Sequence, residues 1–392
     1  MHSAAETVLR QPLARALPER LEHFLEHTTL PTPFLVMDQQ LVAERLAELT
    51  RAFEGAQLYY AVKANPLPQV LSVLARSGGG CDVASAAEIR LCLQAGIPAA
   101  RISFGNTIKR PEDIAFAHAV GIRCFAVDSA EELEKVARFA PGARVFVRLL
   151  VQTVGAQWPL SRKFGCDADM ALELLLSAPG LGLRPHGVSF HVGSQQLDPS
   201  QWDAPLASCA DLFRRLRRNG IELEVINIGG GFPAQYTTPI PEIDVYAAAI
   251  RDSLQRHFGA HAPALALEPG RALVAEAGVI ETTVLLVSRK SRNDVHRWVY
   301  LDCGKFGGLA ETMDEAIRYP LLTPRRHAPR VPSIIAGPTC DSADILYERT
   351  PYSLPGDLRA GDRVRILSAG AYTYTYASVG FNGLPPLRVV CR

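Results

Sequence analysis

Eight short apolar runs, each followed by an amphipathic helical stretch, recur between residues 58 and 268, and this rhythm restricts the fold more than any other property of the chain. The runs are LYYAV (58–62), CDVA (81–84), RISF (101–104), CFAV (124–127), VFVRL (145–149), GVSFH (187–191), EVINI (224–228) and ALALE (264–268). Strands that alternate with helices pair in parallel, because each helix carries the chain back to the starting end of the sheet. Eight repeats over about 240 residues are the size of a closed (β/α)8 TIM barrel, with an open doubly wound sheet as the rival arrangement. An earlier run, Phe34 to Met37, reads as a further strand that opens this domain, so its expected extent is 34–270. Asp38 is the expected cap of the next helix, whose Leu41, Val42, Leu46, Leu49 and Phe53 share one face before Gly55 stops it.

Past residue 270 the rhythm changes. GVIETTVLLVS, RWVYLD, PSIIAG and DRVRILSAG follow one another across Pro- and Gly-rich turns with few helical stretches, which predicts a mostly β domain over 271–392. A helical leader is expected over 1–33. Lys and Arg number 41 against 40 Asp and Glu, so no long-range field draws the chain to nucleic acid or to an anionic membrane. The first residues interleave charges with apolar positions and lack a signal-length apolar stretch, and ALVAEAGVIETTVLLV is cut by Glu276 and Glu281; cytoplasm is the expected location. The 8 cysteines form no CxxC pair, so neither a zinc clamp nor a disulfide framework is expected, and most read as small buried hydrophobes.

In a barrel the chemistry belongs at the C-terminal ends of the strands. Lys63 follows LYYAV, Arg148 lies near the end of VFVRL, His191 closes GVSFH, Gly229, Gly230 and Gly231 follow EVINI, and Glu268 ends ALALE. Singly, each has a bland reading: a solvated lysine, a core histidine, a glycine turn, a charge at a strand end. Their common location on one rim favours pyridoxal phosphate chemistry, in which the cofactor is the electron sink and the protein tunes it. A lysine amine, partly deprotonated by desolvation and a nearby cation, joins the cofactor's aldehyde. Glycines without Cβ let backbone N–H groups approach a phosphate, with Gly229 to Gly231 and Gly270 as candidates. Glu268 suits the task of keeping the pyridine nitrogen protonated.

At these residues the sequence resembles the fold type III pyridoxal-phosphate decarboxylases, the alanine racemase-like barrel family of ornithine, lysine and diaminopimelate decarboxylases. The matching motifs run in family order: YYAVKANP (59–66), CDVASAAEI (81–89), SFHVGSQ (189–195), INIGGGFP (226–233), EPGR (268–271), GPTCDSADIL (337–346) and GAYTYTYASVGFNG (370–383). WPLSRKFG (158–165) and KFGGLAETMDEAIRYP (305–320) are also similar to bacterial ornithine or lysine/ornithine decarboxylases.

The resemblance implies that Lys63 carries the cofactor, His191 stacks on its ring and Glu268 pairs with its pyridine nitrogen. Ser194, Gly231, Arg271 and Tyr372 would hold the phosphate, with Gly229 and Gly230 shaping the loop and Asp82 and Arg148 as supporting polar residues. In the family, GPTCD reaches into the active site of the partner subunit; Cys340 would then return a proton to Cα, and Asp341 would bind the substrate's distal ammonium. Asp314 is a second carboxylate for that ammonium, by an alignment that needs a one-residue gap. Phe381 matches an aromatic wall, while Phe306 stands where many relatives have Tyr. An acidic pair favours a cationic substrate tail over an anionic one.

The function implied is decarboxylation of a basic L-amino acid, L-ornithine to putrescine, by a homodimer with shared sites and no metal. Lysine and diaminopimelate decarboxylation are the alternatives. A non-catalytic regulatory homologue is the reading from a different class, disfavoured because Lys63, His191, Glu268, Cys340 and Asp341 are all present.

Overall fold

The computed structural model describes residues 17–158, 163–324 and 328–392. The first half of the proposed leader and the centre of WPLSRKFG therefore lie outside the described residues. Two compact units are present: residues 39–234 with 240–274, and residues 17–38 and 235–239 with the remainder after 275.

The first unit contains a closed parallel barrel. Its strands are β1 (Gln57–Ala61), β2 (Gly80–Val83), β3 (Ile102–Phe104), β4 (Cys124–Val127), β5 (Arg144–Arg148), β6 (Arg184–Ser189), β7 (Val225–Asn227) and β8 (Ala264–Leu267), and β8 pairs with β1 to close the ring. All eight arise from the eight apolar runs. Closure leaves no sheet edge, and Val83, Phe104, Phe125, Val147, Val188, Ile226 and Leu267 are buried. Amphipathic helices return the chain between strands. Ser85 and Ser129 start two of them by accepting hydrogen bonds from the N–H of Glu88 and Glu132, which satisfies donors the first helical turn would otherwise strand. Register aligns the rim: Ala61 faces Asp82, Arg148 faces Ser189, and Ser189 faces Asn227.

The second unit is built on an eight-stranded, largely antiparallel sheet. Its main path runs Leu321–Leu322, Arg363–Ile366, Gly278–Ser288, Arg297–Leu301, Arg330–Ala336, Ile345–Pro355. The strand Phe34–Met37, expected at the start of the barrel domain, belongs here instead. It pairs antiparallel with Gly278–Glu281 and parallel with Arg388–Cys391. Its four residues are all buried, so its sequence is as apolar as a barrel strand's; only the partners it finds, far along the chain, decide which sheet takes it. Asp38 forms an ion pair with Arg20 at 2.8 Å in this unit. Leu21 and Leu25 of helix Glu19–His27 pack on Phe34, Val36, Val279 and Leu367. The other boundary also moves: Arg271–Val274, a short helix, belongs with the barrel.

No helix among the described residues is long and apolar enough to cross a membrane. Five cysteines are buried, Cys124 and Cys391 are half-buried and Cys340 is exposed; all are free thiols.

Candidate active site

The barrel mouth gathers Lys63, Asp82, Arg148, His191 and Glu268 closely enough that each charge is felt by others in the group. Lys63 sits in a single helical turn, Val62–Ala64, directly after β1. Its amine makes no hydrogen bond or ion pair with any described residue, so it is available to react. Asp82, at the third position of β2, is buried. Desolvation and then the charge of Glu268 hold its carboxyl well above the usual carboxylate range, with Lys63 opposing. Its Oδ1 is buried without a hydrogen-bond partner among the described residues. Gly105, on the loop after β3, permits this placement, since a Cβ there would overlap the Asp82 carboxyl.

Burial, then Arg148 and Lys63, hold His191 well below the ordinary histidine value, so the imidazole is neutral at pH 7. Its Nδ1 accepts the N–H of Gly193 at 3.0 Å, which places the ring proton on Nε2. A neutral ring can lie flat on a cationic heterocycle without charge repulsion. Glu268 is aimed by a residue that sequence reasoning missed. Asn227, buried at the end of β7, donates from Nδ2 to Glu268 Oε1 at 2.5 Å, while its Oδ1 accepts the N–H of Gly229 at 2.9 Å.

The glycine loop after β7 passes too close to other backbone for any larger residue. A Cβ on Gly229 would run into Phe190 O; on Gly230 it would lie 2.5 Å from Glu268 O, and on Gly231 2.5 Å from Gly193 O. Gly229 and Gly231 also have φ of +67° and +99°. The N–H groups of Gly230 and Gly231 meet no acceptor among the described residues. Gln195, from the loop after β6, locks this loop by donating to Ala234 O at 2.7 Å and accepting Ala234 N–H at 3.0 Å. Arg271 is buried and donates from Nε and Nη2 to Ser194 Oγ, each at 3.1 Å, and Gly270 begins the helical turn that carries it. Unpartnered backbone donors, a buried guanidinium, a hydroxyl, a free amine and an aimed carboxylate are the donor set a phosphorylated pyridine aldehyde needs.

A buried lysine on this rim had no signal in the sequence. Lys109 ion-pairs with Glu132 at 2.9 Å and donates to Asn106 O and Ala126 O at 2.8 and 2.6 Å. Burial brings its amine down to about 8 against the pull of Glu132. It ties the loop that bears Gly105 to the end of β4.

The remaining candidates lie in the β unit. Cys340 and Asp341 are exposed on the loop between Arg330–Ala336 and Ile345–Pro355. Asp344, buried and unremarked in the sequence, anchors that loop: its carboxylate accepts from Lys305 N at 2.7 Å, Thr339 N at 3.1 Å and Thr339 Oγ1 at 2.7 Å. Asp341 Oδ1 accepts Ala343 N–H at 2.8 Å, and no cation among the described residues pairs with it. Asp314, by contrast, is exposed and already ion-paired with Arg349 at 3.0 Å. Phe381 packs on Phe306 with ring centres 4.8 Å apart. Tyr372 is half-buried with φ +55°.

Residues 39–275 match the model of the pyridoxal-dependent decarboxylase, pyridoxal binding domain. The chain belongs to this decarboxylase family. It is 33% identical over 359 residues to a lysine/ornithine decarboxylase of Selenomonas ruminantium, covering 90% of this chain and 88% of that one. The lysine/ornithine decarboxylase from Vibrio vulnificus complexed with cadaverine superposes with a TM-score of 0.86 at 31% identity, over 96% of this chain and 100% of that one. SrLDC in complex with PLP and cadaverine gives 0.85 at 32% identity, over 96% and 94%. As a pyridoxal-dependent decarboxylase, this chain is a carbon–carbon lyase acting on an amino acid, with pyridoxal phosphate as its cofactor.

Proposed function

We propose that the enzyme decarboxylates a basic L-amino acid, L-ornithine to putrescine, in a homodimer whose two sites are each completed by the partner's Cys340 loop. When bound, pyridoxal phosphate supplies a sink for the electron pair released as the bond from Cα to the carboxylate breaks. Lys63 would hold the cofactor through its free amine. Glu268, aimed by Asn227, keeps the ring nitrogen protonated. The neutral imidazole of His191 covers the ring face. Ser194, Arg271 and the N–H groups of Gly230 and Gly231 take the phosphate, with Tyr372 as a further donor. Asp82 and Arg148 balance charge around the amine.

The observation that carries the substrate assignment is the Cys340–Asp341 pair: an exposed thiol next to a carboxylate that no cation among the described residues pairs with. A cationic tail is attracted there and an anionic one repelled. Cys340 gives its S–H proton to Cα after CO2 leaves, and the thiolate that remains is reprotonated from water. Asp314 adds a second carboxylate when its exposed pairing with Arg349 opens, and Phe381 lines the tail with Phe306.

Product analysis with L-ornithine, L-lysine, L-arginine and meso-diaminopimelate, with the D-enantiomers alongside, tests the assignment. Ornithine should give the highest kcat/KM, with lysine lower by about 10–200-fold, since one methylene is worth about 1–3 kcal/mol. A preference for diaminopimelate would overturn it. Shared sites are tested by mixing Lys63→Ala and Cys340→Ala subunits. Random exchange makes half the dimers mixed, each with one intact site, so about a quarter of the activity should return. Verified exchange without recovery would refute sharing.

A further inference from the structure

Cys340 is not held by its own loop alone. Asn382, two residues into the turn that follows Gly380, grips it with both ends of its amide. Oδ1 accepts the Cys340 backbone N–H at 3.1 Å, and Nδ2 donates to Cys340 Sγ at 3.2 Å. The first bond fixes which way round the amide lies, because a backbone N–H can only face the oxygen; the NH2 group must then point at sulfur. The turn is built to present this side chain. Gly380, Asn382 and Gly383 all have positive φ (+77°, +52° and +73°), and Asn is among the few side-chain-bearing residues that tolerate that region. Gly383 N–H to Gly380 O at 3.0 Å and Leu384 N–H to Phe381 O at 3.0 Å close it.

We infer that Asn382 is the positioning residue for the Cys340 thiol, fixing the direction in which it presents its S–H proton. The donor occupies one side of the sulfur, so that the S–H proton points elsewhere. Asp341 follows it in the chain, Asp344 is held by Lys305 N and Thr339, Lys305 is the cation on the neighbouring loop, and the turn 380–383 carries no charge. Nδ2 of Asn382 is the donor to Sγ among the described residues. This inference rests on the proposal that Cys340 protonates Cα, in which the S–H bond breaks, a C–H bond forms with the electron pair left by CO2, and sulfur keeps the negative charge.

The test reads the thiol directly. In the holoenzyme without substrate, the rate at which iodoacetamide alkylates Cys340 is followed by peptide mass against pH. Asn382→Asp keeps the acceptor and the tolerance for positive φ but replaces the donor with a carboxylate oxygen. Asn382→Gly keeps the turn and removes both contacts. Alkylation at pH 7 should be roughly tenfold slower in the Asp variant, where a carboxylate replaces the donor at sulfur, and less affected in the Gly variant. The cofactor's absorbance should be unchanged, which reports an intact fold. Superimposable profiles for all three proteins would overturn the inference. The underlying reading fails separately: if Cys340→Ala keeps full kcat and product ratio, the thiol is not the acid, whatever Asn382 does to its alkylation.

Discussion

The barrel mouth and the Cys340 loop both bear reactive residues, yet they hold them in opposite ways. In the barrel, Asp82 is buried, His191 is kept neutral by burial and two cations, and Glu268 is aimed by Asn227, so a single chain assembles an electrostatic unit. In the β unit, Cys340 and Asp341 are exposed, and hydrogen bonds from Asn382 and Ala343 fix their directions without enclosing them. A preorganised site acts because its groups have already lost their water; an exposed pair gains that advantage only when another surface covers it. In the proposed dimer, the partner subunit would supply that cover to the exposed pair.

The comparison can be broken or sharpened by substitution. Lys63→Ala should lower turnover by about three orders of magnitude or more, the scale of losing a covalent nucleophile. Borohydride reduction and peptide mapping should at the same time lose their label at that position. Label retained elsewhere with activity intact would break the barrel half of the comparison.

Lys109→Met leaves Glu132 buried with only Lys135, at 2.6 Å, to balance it. Removing one member of a buried pair costs about 3–5 kcal/mol, and the remaining contact puts this case near 3. Urea unfolding should show that loss, and the double variant Lys109→Met, Glu132→Leu should recover most of it. Asn227→Ala should reduce kcat about 10–100-fold, as outer partners of tuned sites do, with KM little changed. Steady-state kinetics that moved only KM would deny Asn227 its aiming role.

A smaller effect is expected with pH. In the cofactor-free protein, His191 takes a proton well below the pH at which an unfolded chain's histidines do, near 6.5. Below that pH the unfolded state binds more protons, so stability is full above about 6.5 and falls as pH drops, by up to about 1.4 kcal/mol per unit. His191→Gln should flatten that slope in denaturant melts between pH 7 and 5.5. The smallest change belongs to the β unit: Arg349→Ala removes an exposed ion pair and should shift stability by less than about 0.5 kcal/mol. A larger loss would mean that this surface is not as open as it stands in one chain.

Every barrel strand was readable as an apolar run, and the rim residues could be found because strand ends fall at fixed places in a barrel. Phe34–Met37 was misassigned because four buried residues in a row look the same in either sheet, and pairing with Gly278–Glu281 and Arg388–Cys391 is invisible locally. Asn227, Gln195, Asp344 and Lys109 escaped notice for a different reason. Each is a single polar residue with at least one partner far along the chain, so no spacing rule marks it. Asn382 came nearest to being legible: an Asn followed by a glycine signals positive φ, but nothing in FNG says that its amide faces a cysteine.

The strand Phe34–Met37 lies between one segment from the middle of the chain and another from its far end. On a ribosome the ring of eight strands has all its parts once residue 267 has emerged, whereas this seam must wait for residues 388–391. The cofactor-binding half can therefore be finished while the half that bears Cys340 is still being threaded out, and residues 388–391 act as the fastener of the sheet.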